Sequence, residues 1–182
     1  MSNLHCETIT FPSSDGSHTS SAVLYTCPDT PVRAVIQLSH GMCEYVRRYQ
    51  PMAEFYAAHG IALAGNDHLG HGDTAREGEH GHYGEPEGRF HLLNDLHTMN
   101  GILHQRFPDV PIILYGHSMG SFYARRKVAG KHYSAGDFRH GRPQLYERHW
   151  SEAGRADCQG QGSALCLAAD GQAEFRQLLQ ED

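Results

Sequence analysis

Pro111-Ile112-Ile113-Leu114-Tyr115-Gly116-His117-Ser118-Met119-Gly120-Ser121 decides how this chain is read. A short apolar run, buried on both faces if it lies in a parallel sheet, passes directly into Gly-x-Ser-x-Gly. The segment from Phe122 to Val128 then reads as a helix. Strand, tight turn and helix form the context in which this pattern makes a nucleophile elbow. The turn is so sharp that the serine backbone is strained, and side chains at Gly116 and Gly120 would collide. Ser118 is therefore the expected nucleophile, with Gly116, His117 and Gly120 shaping the elbow. The following helix points its positive amino terminus at the hydroxyl.

Working outward, Ala34-Val35-Ile36-Gln37-Leu38 is a second buried run, ending in Ser39-His40-Gly41-Met42. Acyl transfer needs two N–H groups aimed at a developing oxyanion. In an elbow enzyme one comes from the residue after the serine, here Met119, and one from the loop after an earlier strand, here Met42. Ile61 to Gly65 is a third buried strand, followed by the turn Asp67-His68-Leu69-Gly70-His71-Gly72. Glu7 to Phe11 and Ala22 to Thr26 alternate with period two and flank a Ser-Asp-Gly turn, which predicts an antiparallel hairpin. Helices are predicted over Tyr49–His59, closed by Gly60, and over a stripe of Leu92, Leu93, Leu96, Met99, Leu103 and Phe107, closed by Pro108. Alternating strands and helices imply an α/β fold with a mostly parallel sheet.

Composition narrows the function classes. The chain has 182 residues and a net charge of -6, with 39% hydrophobic and 20% charged residues. No basic face emerges for a nucleic-acid partner. No apolar run is long enough to span a bilayer, so any membrane contact is expected to be peripheral. The start, Met1 to Cys6, lacks the order of a signal peptide, and a cytoplasmic location is expected. Five scattered cysteines fit reduced thiols. The fifteen histidines include a dense group at His68, His71, His80 and His82. No acidic or cysteine partner completes a ligand spacing there, so no metal site is expected.

Five stretches together resemble one family: Phe11-Pro12-Ser13-Ser14-Asp15-Gly16, His40-Gly41-Met42-Cys43-Glu44-Tyr45, Arg48-Tyr49, Gly65-Asn66-Asp67-His68-Leu69-Gly70-His71-Gly72 and Gly116-His117-Ser118-Met119-Gly120-Ser121. They look like the monoacylglycerol lipase and lysophospholipase branch of the α/β-hydrolases, akin to the S33 serine aminopeptidases. The resemblance runs from about residue 7 to 129. It implies hydrolysis of a small acyl ester, such as a monoacylglycerol or lysophospholipid-like substrate, without metal or organic cofactor. It also implies that Asp67–Gly72 is a structural turn near the active site.

Residues 1–129 are thus expected to be the front half of such a domain, and residues 130–182 an unassigned tail. The tail has no β-branched apolar run, and its one dense apolar stretch is Ala164-Leu165-Cys166-Leu167-Ala168-Ala169, ahead of a short helix predicted at Ala173–Leu179. The family places its triad acid and histidine in a second half. His132, His140, His149, Asp137, Asp157 and Asp170 do not lie in family-like sequence, so no triad role is given to them. The break near Lys127–Tyr133 reads as a frame change. Ala135–Arg142, for example, can be encoded so that a shifted frame gives Arg-Ala-Ile-Phe-Gly-Thr-Ala-Gly, which resembles a buried strand and turn. A divergent tail is the alternative. Without a strand from that missing half, the outer edge of Ile112–Tyr115 is expected to stay unpaired.

Overall fold

The computed structural model describes residues 3–84, 87–128 and 166–169. Strands β1 (His5–Pro12) and β2 (Thr19–Thr26) form the antiparallel hairpin that the alternation predicts. β3 (Ala34–Ser39) leads through a 3₁₀ turn (Val46–Tyr49) into α1 (Gln50–Ala58) and β4 (Ile61–Asn66). After the turn at 67–72, α2 (Gly88–Arg106), β5 (Ile112–Gly116) and α3 (Met119–Val128) follow, and β6 (Cys166–Ala169) completes the described elements. The sheet order is β1-β2-β4-β3-β5-β6, with β4, β3 and β5 mutually parallel.

Strand alternation sorts the core onto two faces of this sheet. Leu24, Val35, Ala62, Ala64 and Ile112 pack with Met99 and Leu103 of α2. Val23, Ile36, Leu38 and Leu63 pack with Ala53 of α1 and with Val46. The two helices therefore cover opposite faces. The chain goes from β3 to β4 on one side and returns past β3 to β5 on the other, so β3 is the point where the winding reverses. In open α/β sheets that is where a ligand crevice forms, beyond the carboxyl ends of the strands.

The helical stripe needs adjusting in two places. Leu92, Leu96, Met99 and Leu103 are buried as expected, but Leu93 is only half-buried and Phe107 follows the last helical residue. Two polar residues share the buried face. Asn100 donates to the Gln37 side-chain oxygen at 2.8 Å, and Gln37 donates to the Leu96 carbonyl at 2.8 Å. Asp95 accepts from the Ser13 hydroxyl at 2.6 Å and the Ser14 amide at 2.7 Å. Buried polar groups cost little when paired in this way, and a hydrophobicity pattern does not reveal their partners.

The outer edge of β5 differs from expectation. Cys166–Ala169 pairs antiparallel with Ile113–Gly116, with Gly116 opposite Cys166. A strand edge offers a row of unpaired donors and acceptors, and the tail's one dense apolar stretch takes them up. The helix predicted at Ala173–Leu179 lies outside the described residues, as do His132, His140, His149, Asp137, Asp157 and Asp170.

The hairpin turn is fastened to the loop before α2 by His18. Its Nδ1 lies 2.5 Å from Asp15 Oδ2 and its Nε2 lies 2.7 Å from Glu79 Oε2. Carboxylates only accept, so both ring nitrogens donate and the ring is an imidazolium. The bonds to Glu79 and then Asp15 raise its pKa above the ordinary 6.5, against the opposing effect of burial. A raised value means that its stabilising contribution is complete below about pH 6.5 and is lost as pH rises through the folded value. His18→Ala should lower the melting temperature by a few degrees at pH 6. The gap from the unchanged chain should shrink at higher pH, as read by parallel thermal melts.

Candidate active site

Register brings the two predicted motifs together. Leu38 pairs with Tyr115 and Ser39 with Gly116, so β3 and β5 end side by side in the parallel sheet. The ladder continues one step further, as the His117 amide donates to the Ser39 carbonyl at 3.0 Å. The loops beginning at His40 and His117 must then leave the same sheet edge next to each other. A side chain on Gly41 would come within 3.2 Å of Ser118 Cβ.

Ser118 sits at φ 48, in the left-handed region that non-glycine residues rarely adopt. The Gly120 amide donates to the His117 carbonyl at 2.8 Å, and the Ser121 amide and hydroxyl both reach the Ser118 carbonyl. These bonds close the turn. Gly116 and Gly120 permit it. A Cβ on Gly116 would lie 2.6 Å from Ser121 Cα, and one on Gly120 would run into the carbonyl oxygens of Ser39 and His40. Gly120→Ala should therefore destabilise the fold by about 3 kcal/mol, at the upper end of ordinary overpacking, visible as a lowered thermal transition. Met119 is the first residue of α3, where a backbone N–H has no partner within the helix. Its side chain is buried, whereas Met42 is 60% exposed.

The loop carrying Met42 is gripped from several sides. His40 is fully buried; its Nδ1–H donates to the Gly41 carbonyl at 2.8 Å, and its Nε2 accepts from the His68 amide at 3.0 Å. Burial lowers its pKa to about 4, so the ring is neutral and its tautomer is fixed by its two partners. Glu44 Oε2 accepts from the Gly41 amide at 2.8 Å, from the Tyr49 hydroxyl at 2.7 Å and from His117 Nδ1 at 2.9 Å. Burial alone would raise the Glu44 pKa, but the bonds from Tyr49, His117 and Gly41 hold it below the ordinary value. Glu44 and Tyr49 belong to the family-like motifs, yet the sequence alone attached no task to either. The signal was there in the Gly41-to-Glu44 spacing, which lets a side chain turn back onto an amide three residues earlier.

The turn at 67–72 is held by Asp67, whose carboxylate accepts from the amides of Val46 at 2.7 Å and Asp73 at 2.8 Å. Its burial raises the pKa, and these two bonds oppose the rise. His68 is buried, and that burial, with His40 and His71 nearby, drives its pKa well down. The His40 and His68 ring centroids are 4.1 Å apart, and His71 Nδ1 donates to the Leu69 carbonyl at 2.9 Å. Among the described residues no group of three or more His, Cys, Asp or Glu is arranged to hold a metal ion.

Comparisons with known proteins agree with this architecture. Residues 30–137 match the model of the serine aminopeptidase S33 family. A monoacylglycerol lipase of Mycolicibacterium smegmatis is 36% identical over 99 residues, covering 51% of this chain and 31% of the relative. A lipase solved in an open form shares 32% identity at a TM-score of 0.62, covering 68% of this chain and 39% of the other. A carboxyl esterase from Bacillus coagulans, solved with glycerol, shares 30% identity at a TM-score of 0.58, covering 69% and 40%. The chain thus spans about a third of the length of the curated relatives that it matches. With the family model covering residues 30–137 and the sheet wound in the same way, the chain belongs to the serine aminopeptidase S33 family of α/β-hydrolases.

Proposed function

We propose that this chain carries the nucleophile and oxyanion half of a serine ester hydrolase acting on monoacylglycerol or lysophospholipid-like substrates. Ser118 Oγ attacks the ester carbonyl, the carbonyl oxygen becomes an oxyanion, and the amides of Met42 and Met119 receive it. The tetrahedral species collapses to an acyl-serine with loss of the alcohol, and water then releases the fatty acid. The observation that carries the reading is the strained φ of Ser118 at the junction of β5 and α3, with Gly41 against it. The curated relatives, described as monoacylglycerol and monoglyceride lipases, supply the substrate class.

No metal or organic cofactor is needed for this chemistry, since backbone amides hold the charge. A base is needed, because a serine hydroxyl is a weak nucleophile at its free pKa. Within residues 130–182 no stretch resembles the family's acid or histidine. We therefore propose that the 182-residue chain by itself is a poor catalyst, and that a complete second half, in the frame suggested at Lys127–Tyr133, restores turnover.

The family's description as a serine aminopeptidase favours a second reading, hydrolysis of an amide. A substrate panel separates the two in a frame-restored enzyme. Monoacylglycerols and lysophospholipids are expected to turn over at least about 100-fold better than aminoacyl amides in kcat/KM, a preference of roughly 2.7 kcal/mol in transition-state binding. Equal or better cleavage of the amides would reverse the assignment.

A further inference from the structure

We infer that Glu44 is a positioning residue for the oxyanion loop: one of its carboxylate oxygens holds the Gly41–Met42 segment against the elbow and fixes a proton on His117. The inference rests on the reading of Ser118 as nucleophile, because it concerns the group that places the loop opposite that serine.

Among the described residues only two non-glycines have positive φ, Ser118 at 48° and Cys43 at 58°. One strained residue is the expected nucleophile. The other lies between Met42 and Glu44, and its left-handed turn accompanies the return of the Glu44 side chain to Gly41. Backbone strain of this kind persists only where the surroundings over-determine it. Here the surroundings meet at one atom. Glu44 Oε2 takes the Gly41 amide, the Tyr49 hydroxyl and His117 Nδ1, all within 2.9 Å. Gly41 follows the end of β3 and His117 the end of β5, so a single oxygen joins the two neighbouring loops.

The same contacts answer an electrostatic objection. A bare carboxylate near a site that must hold an oxyanion would oppose catalysis. Three donors on Oε2, and the Arg48 guanidinium 3.8 Å from Oε1, direct the Glu44 charge into the scaffold. A carboxylate in this state can only accept, so His117 Nδ1 must carry a proton. Residue Gly41 is thus gripped on both sides, its N–H donating to Glu44 and its C=O, which shares a peptide group with the Met42 N–H, accepting from His40. That grip defines where the next amide, Met42 N–H, can point.

The test uses the 182-residue chain labelled with ¹⁵N. In the unchanged chain the Gly41 amide should exchange slowly and His117 should show a protonated Nδ1. In Glu44→Ala, Gly41 exchange should quicken by about tenfold or more, as expected when a charge-assisted hydrogen bond is lost, and the His117 Nδ1 signal should change. Glu44→Gln keeps an oxygen acceptor without the charge and should fall between. The Leu103 amide, in the core of α2, monitors general unfolding. Should the alanine variant lose Leu103 protection, Glu44→Gln decides. Faster Gly41 exchange with Leu103 still protected supports the role, and exchange equal to that of the unchanged chain overturns it. Unaltered Gly41 and His117 signals in a folded Glu44→Ala also overturn it. Labelling by a fluorophosphonate in the frame-restored protein, which carries a base, reports separately on Ser118, so failure there tells against the nucleophile and failure of the two NMR signals tells against Glu44.

Discussion

Ser118→Ala in the proposed frame-restored form, with a complete second half following the segment Lys127–Tyr133, should lower kcat on short p-nitrophenyl esters by about 10⁶-fold. The size follows from the division of labour in such sites. Nucleophile, base and acid act as a unit, so removing the serine removes the covalent route and leaves only what the oxyanion amides and substrate binding supply. The fold should survive, because Ser118 holds its turn through its backbone, with its carbonyl accepting from the Ser121 amide at 3.0 Å. Alanine also remains at φ 48, where any Cβ is strained, so the serine's own strain is not relieved. Initial rates with matched thermal melts check both halves of this expectation. Activity kept within tenfold would remove Ser118 from the mechanism.

The 182-residue chain itself should show a loss of similar size, measured against the frame-restored form. A serine without its base is an ordinary alcohol, and incomplete triads retain only about 10³–10⁴-fold catalysis over water. The chain has the elbow and the facing loop, so it should keep that residue of activity. The paired edge of β5 makes the comparison feasible. Because Cys166–Ala169 covers Ile113–Gly116, the apolar core strand does not present a bare edge for aggregation. Turnover near that of the frame-restored form would mean that residues 130–182 supply a base.

Much of this architecture was legible in the sequence because it rests on local chemistry. The apolar runs at Ala34–Leu38, Ile61–Gly65 and Ile112–Leu114 are strands buried on both faces, and such strands announce themselves by composition. The elbow was legible because only glycine fits at 116 and 120. The hairpin followed from period-two alternation around a turn. What sequence did not reveal depends on partners distant along the chain. Asn100 and Asp95 look like interruptions of a helical stripe until Gln37 and Ser13 are seen beside them. Glu44 looks like a surface acid until His117, 73 positions away, is found 2.9 Å from it. The pairing of β6 escaped for the same reason. Four residues from a polar tail carry too little pattern to predict a strand, and the open edge of β5 decides their place.

The central claim is that the hydroxyl of Ser118 is the reactive group of this fold. It is tested most directly by treating the frame-restored protein with a fluorophosphonate and mapping the adduct by peptide mass spectrometry. A single phosphonylated residue at Ser118, absent from Ser118→Ala, is the predicted result. An adduct at Ser121 or another residue, or no adduct in a folded protein that still cleaves esters, would contradict it.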